Sequence, residues 1–349
     1  MMGKLILENN KIFEGVSFGA QKSVAGEMVF ATGMVGYPES FTDPSYAGQI
    51  LILTYPLVGN YGVPDKKYWE SEKIQITGLI VSNYIDTPSH YQSKMTLSSW
   101  LKKENIPALE IKDTRLLAQT LRDSGAMLGK MIIDKDIPFH DPNKDNLVAQ
   151  VSRKTVAVEE PHGQVKKTIV LVDCGAKRNI TRCFLKRGVR VISVPWDYNP
   201  FLNPPAGGFD ALFISNGPGD PVMADKTIET IKMAMEKKIP ILGICLGNQL
   251  LALAAGGKTY KLKFGHRGQN QPCIEIGTKR CYITTHNHGF AVSDTMPKGF
   301  KPWFINANDN SNEGIIHEKY PWMSVQFHPE AAAGPTDTQW LFDYFLEKI

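Results

Sequence analysis

Long hydrophobic runs are missing from this chain. Runs such as Ile50-Leu51-Ile52-Leu53 fall far short of the roughly 20 apolar residues a helical membrane crossing needs. No large excess of charge exists either, since 39 Lys and Arg face 35 Asp and Glu for a net charge of +4. The pairs Lys102-Lys103, Lys166-Lys167 and Lys237-Lys238 are scattered and read as solvated faces, so neither a nucleic-acid footprint nor a membrane-binding patch is expected. Cysteine is scarce. Five residues, an odd number without CxxC spacing, exclude a disulfide framework. The first residues, Met1 to Asn10, lack the apolar core of a secretory signal and the Arg-rich character of a transit peptide. A reduced, cytoplasmic setting is the expectation. Repeats and low-complexity segments are also lacking.

What remains is ordinary globular composition, 42% hydrophobic and 21% charged, in a chain of 349 residues, about twice a common domain length. Two domains are expected, over residues 1–153 and 168–349, joined by a polar, turn-rich linker over 154–167. In the second, Thr168 to Asp173 is a continuous apolar run, as for a strand buried on both faces. It opens a series in which strands at 189–194, 209–215 and 239–244 alternate with helices at 179–187 and 227–238. That alternation predicts an α/β fold with a central, mostly parallel sheet flanked by helices. The first domain is predicted as a smaller mixed β/α unit, with a helix over 114–123 that has Asp113 as N-cap and Gly125 beyond its end.

One cysteine stands out. Gly243-Ile244-Cys245-Leu246-Gly247 places a thiol where an apolar strand passes without a loop into an apolar-periodic helix. Such an elbow turns the side chain outward at a helix N-terminus, where unsatisfied amides favour a thiolate nucleophile. Alone, the pattern fits a buried structural cysteine equally well. His328, at the end of the apolar strand Val325-Gln326-Phe327, supplies the imidazole such a nucleophile needs, and Glu330 a carboxylate to orient it. The loop Asn216-Gly217-Pro218-Gly219-Asp220-Pro221 follows another strand, and loops at the carboxyl ends of parallel strands meet at one crevice. Its amides, with that of Leu246, are candidate donors to an oxyanion.

These segments resemble the class I, triad-type glutamine amidotransferase domain. More narrowly, Thr42 to Tyr46, Leu53 to Gly62, Phe264 to Pro272 and Asn287 to Val292 resemble the small chain of glutamine-hydrolysing carbamoyl-phosphate synthetase, over essentially the whole length. The resemblance implies that glutamine is hydrolysed through a Cys245 thioester, with His328 and Glu330 completing the triad. It implies that Ser45, Gly217, Gly219, Leu246, Gln249, Asn287, Gly289 and Phe290 contact glutamine, Ser45 reaching over from the first domain. The ammonia would pass to a synthetase subunit or fused domain that uses ATP and bicarbonate, the hydrolysis itself needing no cofactor. Asn248 departs from the pattern, since many relatives have histidine there. A weakly active or non-hydrolysing regulatory module of an ammonia-using synthetase is therefore the alternative. His286 also departs, standing where relatives have polar amides. His286 and His288 project to one face of a strand, with His266 a conceivable third ligand, yet no acidic or cysteine ligand has the right local spacing, and no metal is expected. Cys174, Cys183, Cys273 and Cys281 read as packed residues.

Overall fold

The computed structural model describes residues 1–349 and divides them into two compact bodies: Met1–Asp145 with Lys263–Arg267, and Asn146–Leu262 with Gly268–Ile349. No helix in either is long and apolar enough to cross a membrane.

The first body is a closed barrel. Its strands are β1 (Met2–Leu7), β2 (Ile12–Ser17), β3 (Val24–Ala31), β4 (Gln49–Leu53), β5 (Gly78–Val81), β6 (Ala108–Glu110) and β7 (Met127–Ile132). Around the barrel they run β1-β2-β6-β5-β4-β3-β7. The helices are α1 (Tyr37–Thr42), α2 (Leu97–Lys103) and α3 (Thr114–Ser124). Strands β3 to β6 pair in parallel and the others antiparallel. The period of two divides the apolar residues cleanly: Ile50 and Ile52 pack with Leu117 and Leu121 of α3, whereas Leu51 and Leu53 pack with Phe41 of α1 and Trp100 of α2. Helix α3 begins as its sequence suggests, with the Asp113 carboxylate accepting from the Leu116 amide at 2.8 Å, and Gly125 leaves it at φ +97°.

The second body is built on a ten-stranded sheet. In chain order its elements are α4 (Leu147–Val151), β8 (Ala157–Glu159), β9 (Lys167–Asp173), α5 (Arg178–Leu185), β10 (Val189–Pro195), β11 (Ala211–Ile214), α6 (Asp225–Glu236), β12 (Ile241–Ile244) and α7 (Leu246–Ala254). There follow β13 (Thr259–Glu275), β14 (Cys281–Val292), β15 (Phe300–Asn306), β16 (Asn312–His317), β17 (Trp322–Val325) and α8 (Trp340–Leu346). The sheet order is β14-β13-β15-β16-β17-β12-β11-β9-β10-β8. Its centre, β17-β12-β11-β9-β10, is parallel, and antiparallel strands extend it on both sides. Alternation again sets the layers. Val170, Val172, Leu212 and Ile214 face α6 and α7, whereas Ile169, Leu171, Ala211 and Phe213 face α5 and α8. Glycine matters where the sheet meets α7: a Cβ on Gly243 would come within 2.5 Å of the Gly247 carbonyl, and one on Gly247 within 2.3 Å of the Ile214 carbonyl. The elbow helix therefore lies directly against backbone. Of the four cysteines read as packed, Cys174, Cys183 and Cys273 are buried, but Cys281 is exposed, because it opens β14 at the margin of the sheet.

Candidate active site

Four strand ends converge at the carboxyl edge of the parallel sheet. β12 delivers Cys245, the N-cap of α7, with φ 54° and ψ −102°. Such a conformation costs on the order of 1–3 kcal/mol in a non-glycine residue and is held by its surroundings. The Cys245 amide donates to Val325 O of β17 at 2.8 Å, and its carbonyl accepts the Asn248 amide at 3.0 Å. Leu246, first residue of the helix, keeps an amide with no intrahelical acceptor. The thiol is buried, and Sγ lies 3.6 Å from Asn287 O on β14.

Next to β12, the end of β17 delivers His328. The His328 amide donates to Thr285 O at 2.9 Å, which fixes the backbone, and Nδ1 meets Glu330 Oε1 at 2.6 Å. Its other ring nitrogen, Nε2, is buried and makes no hydrogen bond of normal geometry; Cys245 is the polar side chain beside it. The end of β11 delivers Asn216 and Gly217. Gly217 approaches so closely that a Cβ there would fall 2.2 Å from Cys174 O and 2.8 Å from the Leu246 side chain. The loop and the elbow are thus in contact, and Gly219 turns within that loop at φ +82°.

The fourth strand end contributes a residue that the sequence reading missed. After β9, the Asp173 carboxylate accepts the Gly175 and Ala176 amides at 2.9 and 2.8 Å and shapes a turn. That turn brings the buried Lys177 Nζ to 3.1 Å from Glu330 Oε1 and 2.9 Å from Ala331 O. No local pattern announces this role. Only the topology, which puts β9 and β17 on opposite sides of β11 and β12, makes the two residues neighbours.

The electrostatics follow from the trio. Burial alone would push the Glu330 carboxyl up, but Lys177 and then His328 outweigh it and hold the group down at about 2. Burial would likewise lower the His328 ring. The Glu330 charge offsets that, against opposition from Lys177 and with help from Cys245, and the ring is raised to about 10. An imidazolium therefore stands beside the sulfur at neutral pH.

The other residues expected to line the site lie on α7, on β14 and in the first body. Gln249 lies on α7, and its Nε2 donates to Phe290 O at 2.8 Å and to Gln326 Oε1 at 3.1 Å. Asn287, Gly289 and Phe290 lie along β14. Ser45 belongs to the first body, where its amide donates to the Asp43 carboxylate at 2.9 Å. Asn248, fully buried, accepts from Ser324 Oγ at 2.8 Å and donates to Gln326 Oε1 at 3.2 Å, the same oxygen that receives Gln249. It is built into the support of Gln249.

Residues 170–348 match the family model for glutamine amidotransferase class-I, and residues 5–131 match that for the carbamoyl-phosphate synthase small chain, CPSase domain. The arginine-specific small chain of carbamoyl phosphate synthase from Saccharomyces cerevisiae is 48% identical over 361 residues, covering 98% of this chain and 87% of that protein. The chain belongs to the carbamoyl-phosphate synthase small-chain family. Other members of this family are parts of longer proteins. The multifunctional protein CAD of Squalus acanthias is 52% identical across 99% of this chain, and the mitochondrial carbamoyl-phosphate synthase [ammonia] of Mus musculus 45% identical across 99%. The chain spans only 16–21% of the length of six multifunctional relatives and 23% of the mouse protein.

Proposed function

We propose that this small chain hydrolyses glutamine to glutamate and ammonia and hands the ammonia to a carbamoyl-phosphate synthetase subunit or fused domain. The observation that carries the reading is the buried triad. Cys245 sits at a strained elbow beside a His328 imidazolium, whose Nδ1 is held 2.6 Å from Glu330. The nucleophile is the thiolate form of Cys245, which attacks the side-chain amide carbon of glutamine. A carbon–sulfur bond forms, and the charge on the amide oxygen is taken by backbone amides, of which Leu246 and Gly219 are the candidates. His328 then gives its Nε2 proton to the leaving nitrogen, the carbon–nitrogen bond breaks, and ammonia departs from a γ-glutamyl thioester. The now neutral ring takes a proton from water, whose oxygen cleaves the thioester and returns Cys245.

In this reading Glu330 fixes the tautomer of His328, and Lys177 keeps Glu330 ionised. Gln249, Asn287, Gly289 and Phe290, with Gly217, hold the amino acid portion of the substrate. ATP and bicarbonate belong to the partner, whose product is carbamoyl phosphate for pyrimidine or arginine synthesis. The scarcity of cysteine and lack of pairing fit a reduced compartment, and we place the protein in the cytoplasm.

The test is glutamate release from glutamine by the purified chain, alone and with its synthetase partner. Glutamate in either case, rising with the partner, is the expected result. A folded chain that releases none under both conditions would overturn the assignment.

A further inference from the structure

We infer that the second body contains a structural site for a divalent transition metal, formed by His286 and His288 of β14 and Glu313 of β16. Their spacing in the sequence gave no third ligand near the two histidines. The fold supplies it by packing β16 against β14. All three side chains are buried, with exposures of 0%, 2% and 0%. His286 Nδ1 lies 3.0 Å from His288 Nε2, and Glu313 Oε2 lies 3.6 Å from the first and 4.0 Å from the second.

The hydrogen bonds on the outer side of each ring decide what faces inward. His288 Nδ1 is 2.8 Å from Phe290 O, a carbonyl that can only accept, so Nδ1 carries the hydrogen and, in the neutral ring, Nε2 presents a lone pair. Thr284 Oγ1 donates to Gln271 O at 2.8 Å and therefore accepts from His286 Nε2 at 2.7 Å, which leaves His286 Nδ1 as a lone pair too. Glu313 is oriented through its other oxygen, which accepts from Asn306 Nδ2 at 3.1 Å. Three electron-pair donors thus converge, two of them 3.0 Å apart. Such a convergence calls for a cation between them.

Geometry selects the kind of cation. The point equidistant from three atoms separated by 3.0, 3.6 and 4.0 Å lies about 2.1 Å from each, which is the bond length of zinc to imidazole nitrogen and carboxylate oxygen. Histidine rings whose outer nitrogens are fixed by a carbonyl and a hydroxyl, and a carboxylate held by an amide, are the surroundings that orient metal ligands. Two imidazoles and one carboxylate suit Zn²⁺ rather than Mg²⁺ or Ca²⁺. The metal would clamp β14 to β16 below Asn287 and Phe290.

The experiment uses the full chain, its metal content measured by elemental mass spectrometry after gel filtration. Apo protein is prepared with a chelator and titrated with ZnCl₂ by calorimetry, and thermal unfolding is followed with and without metal. One zinc per chain is expected, with a melting temperature that falls on chelation and recovers on adding Zn²⁺. His286→Gln should weaken zinc binding by more than the about 10- to 100-fold that changes to the outer hydrogen-bond partners cause. Cys281, exposed and a competing ligand, is controlled by Cys281→Ser, which should retain the zinc. A wild-type chain that stays metal-free at saturating ZnCl₂ and whose melting temperature ignores the chelator would overturn the proposal and leave a shared proton as the cation. Zinc retained in full by His286→Gln would overturn it as well. If that variant does not fold, the stoichiometry and chelator response of the wild type decide.

Discussion

Lys177→Met removes the ammonium paired with Glu330 while keeping the length of the side chain and its apolar packing. The ammonium lies 3.1 Å from Glu330 Oε1, where a unit charge pair is worth about 5 kcal/mol at the effective dielectric that suits protein interiors. Part of that returns as relief of the lysine's own desolvation, and removal of one partner from a buried pair typically costs about 3–5 kcal/mol. We expect about 3–4 kcal/mol, a melting temperature of the second body lower by about 6–16 °C. Glutaminase turnover should fall with it, because Glu330 loses the charge that holds it down and so grips His328 less firmly. Urea unfolding of the wild type, Lys177→Met, Glu330→Gln and the double variant isolates the interaction as a coupling energy. A coupling near zero, with each single variant close to the wild type, would refute the reasoning that Lys177 sustains the triad.

Three further outcomes follow from the same geometry. Asn248→Leu strands Ser324 Oγ and weakens the support of Gln249, with an expected loss of about 1–3 kcal/mol in urea unfolding and a raised KM for glutamine. Asn248→His offers one accepting and one donating nitrogen to the same partners, and steady-state glutaminase assays should show activity equal to or above wild type; a sharp fall would mean that the asparagine has a positive role of its own. The ion pair also writes a pH signature. His328 is raised from 6.5 to about 10, so its contribution to stability is complete below pH 6.5 and is lost as pH rises through about 10. Glu330 is lowered from 4.5 to about 2, so its contribution is complete above pH 4.5 and is lost as pH falls through about 2. The difference in melting temperature between wild type and His328→Asn should therefore be greatest between pH 4.5 and 6.5 and shrink toward pH 10. A difference independent of pH over that range would contradict the pairing.

The legible part of the site is the part written locally. The elbow shows in five consecutive residues, and His328 and Glu330 share one turn after an apolar strand. Continuous apolar strands betray a parallel sheet because both faces are covered, and α3 announces its own cap. Lys177 and Glu313 were illegible for one shared reason. Each acts on a partner more than a hundred or some twenty-five residues away, across strands whose order is a property of the whole sheet. Closure of the first body into a barrel was hidden as well. Its strands are as short as Ala108–Glu110, and closure depends on β7 returning to pair with both β1 and β3. Strand β8 is three residues of partly exposed edge in a polar stretch, too brief for periodicity to register.

We propose Cys245 as the nucleophile of a glutaminase whose ammonia serves a synthetase. That role is tested most directly by Cys245→Ser, assembled with the synthetase partner and assayed for carbamoyl phosphate with glutamine and, separately, with ammonium chloride. Glutamine-dependent synthesis should disappear while ammonia-dependent synthesis continues at the wild-type rate. Undiminished synthesis from glutamine would contradict it.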